Sequence, residues 1–366
     1  SSIVMHHFIF STKDNWISSG SNHINGESFK DQNFGQDPIL EVKKEFFNLS
    51  FDYPTRALID FSGTEFNELS KSVADGSITK PRFYLRLFEA EGNSDLTLTY
   101  KLAAIPLSQS WDEGVGKFGD NPKTTNGCSW KNRNFFPGAS ETNWTTPGGT
   151  VYATSASEQS FSNQSPDVEM DVTNAVSGWI SGSLINYGFL LRFSGSQETD
   201  DQTFGQLKFF STQTHTIFQP KLEVRWDDHL PCTGSNTGSM TELTMSGQAD
   251  NFLYMKRLRQ SYKETERVKF RVQARKRYIQ KTFSTSVQTA SSSYIPEGSG
   301  SYSIVDVATG ESIVPFSEYT KLSCDAESNY FIQWLNGFAP DRVYKILYKV
   351  KYNDGQEQIY DNDFEF

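Results

Sequence analysis

DVEMDVTNAVSGWISGSLINYGFLLRF (Asp167–Phe193), followed after a polar loop by LKFFSTQTHTIFQPKLEVRW (Leu207–Trp226), decides the fold class. Val172, Val176, Trp179 and Ile180 fall at i, i+4, i+7 and i+8, which places them on one face of a short helix. Asp171 is the expected N-cap and Gly182 the expected stop. Beyond the stop, Tyr187, Phe189, Leu191 and Phe193 alternate with Gly188, Leu190 and Arg192, the period of a strand with one buried face. A lone helix held between strands is a plug or crossover on a sheet, not part of a bundle.

Working outward, 366 residues exceed one small sandwich and suit two domains. The chain is 14% aromatic with 29 Phe, yet only 36% hydrophobic, and its mean hydropathy is −0.55. That profile fits aromatic-filled strands joined by long polar loops, hence an all-β protein. No apolar run reaches the ~20 residues that cross a bilayer, so no membrane insertion is expected. The opening SSIVMHHFIF lacks a basic n-region and a long apolar core, so no secretion signal is expected either. Cys128, Cys232 and Cys324 are odd in number and far apart, which predicts neither a disulfide framework nor a zinc knuckle and leaves a reducing cytoplasm as the default site of synthesis. The N-x-S/T triplets at Asn48, Asn143 and Asn163 read as chance occurrences in Ser/Thr-rich loops.

Taken in order, His6, Phe8 and Phe10 alternate with His7 and Ile9 as a first strand, with one of the two histidines expected inside and the other outside. Further strands are read at Asp14–Ile17, Ile39–Val42, Arg56–Phe61, Phe83–Ala90 and Leu96–Ala104, each bounded by Gly, Pro, Asn or Asp. The pieces Asp14-Asn15-Trp16-Ile17, Phe34-Gly35-Gln36-Asp37-Pro38-Ile39-Leu40-Glu41-Val42, Arg56-Ala57-Leu58-Ile59-Asp60-Phe61 and Trp111-Asp112-Glu113-Gly114 form an ordered series. It continues through Asp171-Val172-Thr173 with Val176, Trp179 and Gly182, then Asn186-Tyr187-Gly188-Phe189-Leu190-Leu191, Phe209-Phe210-Ser211 and Pro220-Lys221-Leu222-Glu223-Val224. In order and spacing these resemble the DNRLRE-type domains, jelly-roll β-sandwiches related in fold to carbohydrate-binding modules. The resemblance covers most of residues 14–226 and implies a jelly roll with one short helix over 1–228. The chain departs from it between Gly114 and Pro166, a segment longer and richer in Gly, Asn, Thr and Ser.

That segment interleaves Trp130, Phe135, Phe136 and Trp144 with turn residues. On exposed loops such rings stack on sugars or insert into a neighbouring subunit; otherwise they pack down and hold the loop in place. Asp227–Ser246 is poor in bulky apolar residues, so a linker is expected over 229–246 and a second domain over 247–366.

The second domain carries a charge anomaly. Lys256 to Lys281 holds eleven basic residues against Glu264 and Glu266, leaving 23 basic and 42 acidic elsewhere. In Arg267-Val268-Lys269-Phe270-Arg271-Val272 the charges alternate with apolar residues and share one sheet face. The candidate partner-binding residues are Arg267, Lys269, Arg271, Arg275, Lys276 and Arg277. One reading is a solvated face balanced by acids such as Asp361, Asp363 and Glu365; a second is a seam to an acidic subunit, including another copy of this chain. Direct nucleic-acid binding ranks third, because known binding motifs are missing and the net charge of −10 repels phosphate. Tyr302–Val307, Phe331–Leu335, the alternating Arg342–Tyr352, the Asn353-Asp354-Gly355 turn and Gln356–Phe366 complete a set of hairpins that reads as an Ig-like sandwich.

No nucleophile elbow, phosphate loop or H-E-x-x-H occurs. Asp112 with Glu113, and Asp167 with Glu169 and Asp171, read as ordinary strand-rim acids, so neither an enzyme, nor a cofactor, nor a metal is expected. Two sandwiches in series without catalytic order look like virion structural proteins of tailed bacteriophages, particularly large marine ones with contractile tails. The SYKETERVKFRVQARKRY strand and the KYNDGQ hairpin resemble Ig-like appendages of such proteins. The resemblance implies a capsid, neck, tail or baseplate component, made in the host cytoplasm, present in several copies and contacting other virion proteins. The alternative is an adhesin gripping a surface polysaccharide through Trp130 and Trp144.

Overall fold

The computed structural model describes residues 4–47, 49–91, 99–162, 167–246, 250–279 and 281–366. The protein is all-β, with β-sandwich character. Its first strands are β1 (Val4–Phe10), β2 (Lys13–Ser18), β3 (Ile39–Phe47) and β4 (Ser50–Asp60), followed by the helix α1 (Thr64–Ala74). Next come β5 (Arg82–Leu87), β6 (Glu89–Glu91), β7 (Thr99–Pro106), β8 (Asn132–Asn134), β9 (Thr142–Asn143), β10 (Ser157–Ser162) and β11 (Val168–Asp171). The helix α2 (Thr173–Ser181) leads to β12 (Phe189–Phe193), β13 (Gly205–Phe210) and β14 (Lys221–Asp227). One sheet runs β10-β7-β12-β4-β3-β13-β6 with β2 added on β4, and another runs β1-β14-β5-β11. Leu190 stands opposite both Leu58 and Ile105, and Leu207 opposite Val42. All five of these side chains are buried, each such burial being worth roughly 1.5–3 kcal/mol.

Helix α2 forms where its spacing predicts and ends on Gly182, whose φ of 77° is the left-handed turn that glycine adopts without a Cβ clash. Its cap differs from expectation. Val172 occupies the N-cap, because Asp171 is still paired in β11 opposite Tyr84. From there its Oδ1 accepts the Thr173 N–H at 2.9 Å. Trp179 lies 4.6 Å from Phe189, which seats the helix on the sheet, and meets Phe66 of α1 edge-on at 5.9 Å. The expectation of one helix is thus corrected to two: α1 buries Phe66 and Leu69, three apart on one face. The one-faced reading of β12 is corrected as well, since Leu190 is as buried as Leu191. A long loop covers the face that was expected to meet solvent.

Residue contacts divide the chain into two units, one of Ile9–Ser77 with Arg82–Glu223, the other of the residues up to Phe8 with Ile78–Pro81 and Val224–Phe366. The second unit contains β15 (Thr241–Glu242), β16 (Asn251–Lys256), β17 (Arg267–Lys276), β18 (Ser293–Tyr294) and β19 (Gly300–Asp306). It continues with β20 (Ser312–Val314), β21 (Ser323–Cys324), β22 (Asn329–Trp334), β23 (Tyr344–Lys351) and β24 (Glu357–Glu365). They form a sheet of order β15-β18-β17-β22-β21, with β16 paired to β17, and a sheet of order β20-β19-β23-β24. Tyr302 from the second sheet stacks on Phe331 from the first at 3.7 Å, and Phe331 also contacts Phe270 at 5.2 Å. Strand β23 buries Tyr344, Ile346, Tyr348 and Val350 in strict alternation, as its sequence period predicts.

Three further expectations are corrected within this unit. His6 and His7 are both buried, the first meeting Tyr319 and the second Trp334; loss of water pushes the His7 pKa down to about 4. The stretch 229–246, expected as a linker, folds with the unit and buries Leu243 and Met245. Cys232 and Cys324, expected as thiols, form a disulfide with Cα atoms 4.8 Å apart. They meet because Leu230 lies alongside β21, its carbonyl accepting the Cys324 N–H at 3.1 Å. Cys128 is free and buried, with its thiol pKa pushed up by desolvation. The strand expected at Leu96–Ala104 is seen from Thr99; residues 96–98, and Asn48 and Asn163, lie outside the described residues.

Candidate functional site

Two excursions from the sheets carry the candidate residues, and the structure treats them differently. The first, residues 108–150, is closed at its base by Leu107 opposite Val151. Its inner wall is a cluster of Ile17, Leu58, Leu107, Trp111, Cys128, Trp144 and Leu190, with Trp130, Val151 and Tyr187 packed on it. Trp144 is 3% exposed and donates its indole N–H to the Ser129 carbonyl at 2.9 Å. Trp130 lies under the Arg56 guanidinium, 4.8 Å from the ring centre. Arg56 itself is held by Glu198 at 2.7 Å and by the Gly148 carbonyl. The reading of Trp130 and Trp144 as sugar-stacking rings is therefore corrected: one ring is buried and the other is covered by Arg56 and Gly148, which leaves no open face of Trp144 for a pyranose. Phe135 is half-buried, and Phe136, at 54% exposed, is the ring of the four that faces outward.

Asn33 staples this loop. Its side-chain N–H groups donate to the Glu113 and Cys128 carbonyls at 2.7 and 2.8 Å, and its Oδ1 accepts from Gly35 and Gly116. Gly114 and Gly127 allow the chains to close around it, since a Cβ on Gly127 would stand 2.3 Å from the Gly114 Cα. Below the staple, Asp14 accepts two hydrogen bonds from Thr212, both at 2.6 Å, while its N–H donates to Glu113. Burial pushes the Asp14 carboxyl up to about 7 and the Asp37 carboxyl up to about 6. Asp37 in turn accepts the Trp16 indole N–H and the Phe118 N–H. The motif residues from Asp14 to Asp37 thus act as scaffold.

The second excursion follows the basic strand. On β17, Arg267 and Lys269 are exposed and Arg271 half-buried, while Val268, Phe270 and Val272 face the core. The three charges do share a face, but the acids that balance them differ from those expected. Arg271 pairs with Asp325 at 2.9 Å and Glu327 at 3.5 Å, and Lys269 reaches Asp325 at 3.4 Å. Burial raises the Asp325 pKa, but the Arg271 hydrogen bond and the Glu327 and Ser328 N–H groups outweigh it and hold the carboxyl at about 2. Asp361 instead pairs with Lys345 at 2.8 Å. Part of the stripe covers aromatic faces on β22, with Lys269 over Tyr330 and Arg267 over Trp334. Arg275 covers Phe252 of β16 in the same way. These contacts occupy Arg267, Lys269, Arg271 and Arg275.

What is left open begins where β17 ends. Ser293 of β18 stands opposite Ala274 of β17 while Arg275 and Lys276 stay paired with Phe252 and Asn251 of β16, so the chain leaves the sheet after Lys276 and returns beside Ala274. Lys276 and Arg277 stand exposed at the base, and Tyr278, Ile279, Phe283 and Val287 are exposed at 72, 46, 115 and 90%. Arg275, Arg277, Lys281, Thr282, Ser284 and Gln288 line a hollow of ≈ 500 Å³ with Tyr278 and Ile279. Among the described residues, the side-chain hydrogen bonds of 281–291 run only within the arm, as when Gln288 donates to the Thr282 carbonyl at 2.9 Å. Sequence reasoning placed the contact on Arg267 to Arg277, which includes the open Lys276 and Arg277, and counted Lys281 in the basic segment without choosing it; it did not single out Tyr278, Ile279, Phe283 or Val287. The signal was present, since no acid occurs between Glu266 and Glu297.

Among the described residues no group of three or more His, Cys, Asp or Glu is placed to hold a metal ion, and no helix is long and apolar enough to cross a membrane. No family model matches the chain, and no curated protein is significantly similar to it.

Proposed function

We propose that this chain is a non-enzymatic structural protein of a tailed-phage virion, assembling through contacts of its β-sandwiches. The observation that carries the reading is the arm after β17: a cationic, apolar and exposed excursion on a chain that is otherwise strongly acidic. Exposed aromatic and aliphatic groups among like charges favour a partner that supplies both negative charge and an apolar cover. The Cys232–Cys324 disulfide adds to this, because such bonds persist in oxidising surroundings, including virion and cell surfaces. The jelly-roll and Ig-like subtypes belong to this proposal, as does the assignment to a capsid, neck, tail or baseplate.

A second reading, the polysaccharide-binding adhesin, is supported by a different feature. Lys101, Glu158, Ser160, Ser194, Ser196 and Gln197 line an open hollow of ≈ 440 Å³ whose hydroxyl, amide and charged groups suit a glycan. Gold-labelled antibody against the chain, applied to particles from a culture that encodes it, separates the two when run beside a polysaccharide binding panel. Label at a fixed place on every particle supports the structural role. Unlabelled particles together with saturable glycan binding would replace it with the adhesin.

A further inference from the structure

We propose that the arm after β17, residues 277–279 and 281–292, docks on the acidic edge strand β24 of a second copy of this chain, in a head-to-tail contact. The inference rests on the multi-copy structural role proposed above and names its partner. Its basis is a charge match present on the chain itself. From Arg267 to Pro296 there are seven basic residues and no acid, whereas Asn353–Phe366 holds Asp354, Glu357, Asp361, Asp363 and Glu365 and no basic residue. Strand β24 lies at the edge of its sheet, and only Tyr360 and Phe364 of it are buried.

Within one chain the two surfaces approach at Arg277, whose charge acts on Tyr360 of β24, but their exposed charges form no ion pair with each other among the described residues. Lys345 and Lys349 hold Asp361 and Glu357 at 2.8 and 3.4 Å. Among the described residues, neither Asp363 nor Glu365, nor Lys276, Arg277 or Lys281, makes an ion pair. The apolar parts match too: Ile359, 55% exposed among the acids, is the counterpart that Phe283 and Val287 lack in their own molecule. Donor and acceptor are different patches, so the contact is heterologous and copies add in a ring or a row rather than closing as a two-fold dimer.

Sedimentation velocity of the full chain tests this with two charge-neutral triple variants, Lys276→Gln/Arg277→Gln/Lys281→Gln and Asp361→Asn/Asp363→Asn/Glu365→Gln. Wild type is expected to associate at low salt and to dissociate towards 1 M salt, and each variant alone to associate about tenfold more weakly or less. An equimolar mixture of the two variants retains one intact arm and one intact edge, so it is expected to form a pair that grows no further. Wild type that stays monomeric at all salts, variants that associate like wild type, or a mixture no tighter than its parts would each overturn the contact. Gold-labelled particles combined with a monomeric wild type would sink this inference alone and leave the structural role standing.

Discussion

The excursions 108–150 and 277–292 both leave a sheet and return to it, with Leu107 opposite Val151 at the base of the first and Ala274 opposite Ser293 at the base of the second. Both are rich in aromatic and polar residues, and in sequence both look like contact loops. The first is held along its length by residues elsewhere in the chain, whereas the second is held at its two ends, where the Arg277 N–H donates to the Asp250 carbonyl and Ser292 shares a hydrogen bond with Tyr254. Asn33 reaches into it with four hydrogen bonds, Trp111 donates its indole N–H to the Tyr187 carbonyl, and Trp144 is sealed under Leu190 and Leu58. Between those ends, residues 281–291 place their side-chain hydrogen bonds among themselves, and Tyr278 and Phe283 are exposed. Whether a long loop is scaffold or surface is decided by donors and apolar faces elsewhere in the chain, not by the loop's own composition.

The largest effect that would sharpen this contrast comes from Trp144→Ala. Removing a buried indole is expected to cost about 3–5 kcal/mol of stability in denaturant unfolding; a loss under ~1 kcal/mol would mean that the first loop is not part of the core. Next, Cys232→Ser removes a crosslink between residues separated by 92 positions, in the unit that bears the arm. A loss on the order of 2–4 kcal/mol is expected, while arm accessibility to protease stays unchanged. If the arm were instead released, its own bonds would not be what shapes it.

A third effect depends on pH. The folded-state pKa of Asp14 is raised from 3.8 to about 7 by burial beneath the first loop. The folded state therefore holds a proton that the unfolded chain has released across that window. Stability from this site is complete below pH ~4 and is lost as pH rises through 7, with a slope of up to about 1.4 kcal/mol per pH unit. Asp14→Asn, which keeps an acceptor for Thr212, should flatten the slope in urea titrations between pH 5 and 8. An unchanged slope would show that Asp14 is more hydrated than its surroundings indicate. The smallest effect is expected from Phe283→Ser, which should change folding stability by no more than about 0.5 kcal/mol; a large loss would reveal an internal partner for the arm.

Strand periods, the Gly182 stop and the Asn353–Gly355 turn were legible in the sequence because they depend on local spacing alone. Alternation placed Val268, Phe270 and Val272 inside, and Tyr344 to Val350 likewise. What was not legible depended on distant residues. Leu190 reads as an outward position until Trp111 and Trp144 cover it. The Cys232–Cys324 bond needs two segments that only the sheet brings together. Helix α1 was missed because its apolar face consists of little more than Phe66 and Leu69 among charged and hydroxyl side chains. In the candidate site the basic residues were found, but the acids that hold Lys269 and Arg271 come from the turn before β22, which leaves Lys276 and Arg277 as the open members of the set.

The most direct test of the contrast is hydrogen exchange by mass spectrometry on the full chain, dilute in 0.5 M salt and then concentrated at low salt. The account predicts slow exchange around Cys128 and the Asn33-stapled loop in both conditions. It predicts fast exchange for 281–288 in the dilute sample, slowing together with 357–365 on concentration. Protection of 281–288 in the dilute sample equal to that of the stapled loop, or free exchange in the stapled loop, would contradict the division into scaffold and contact surface.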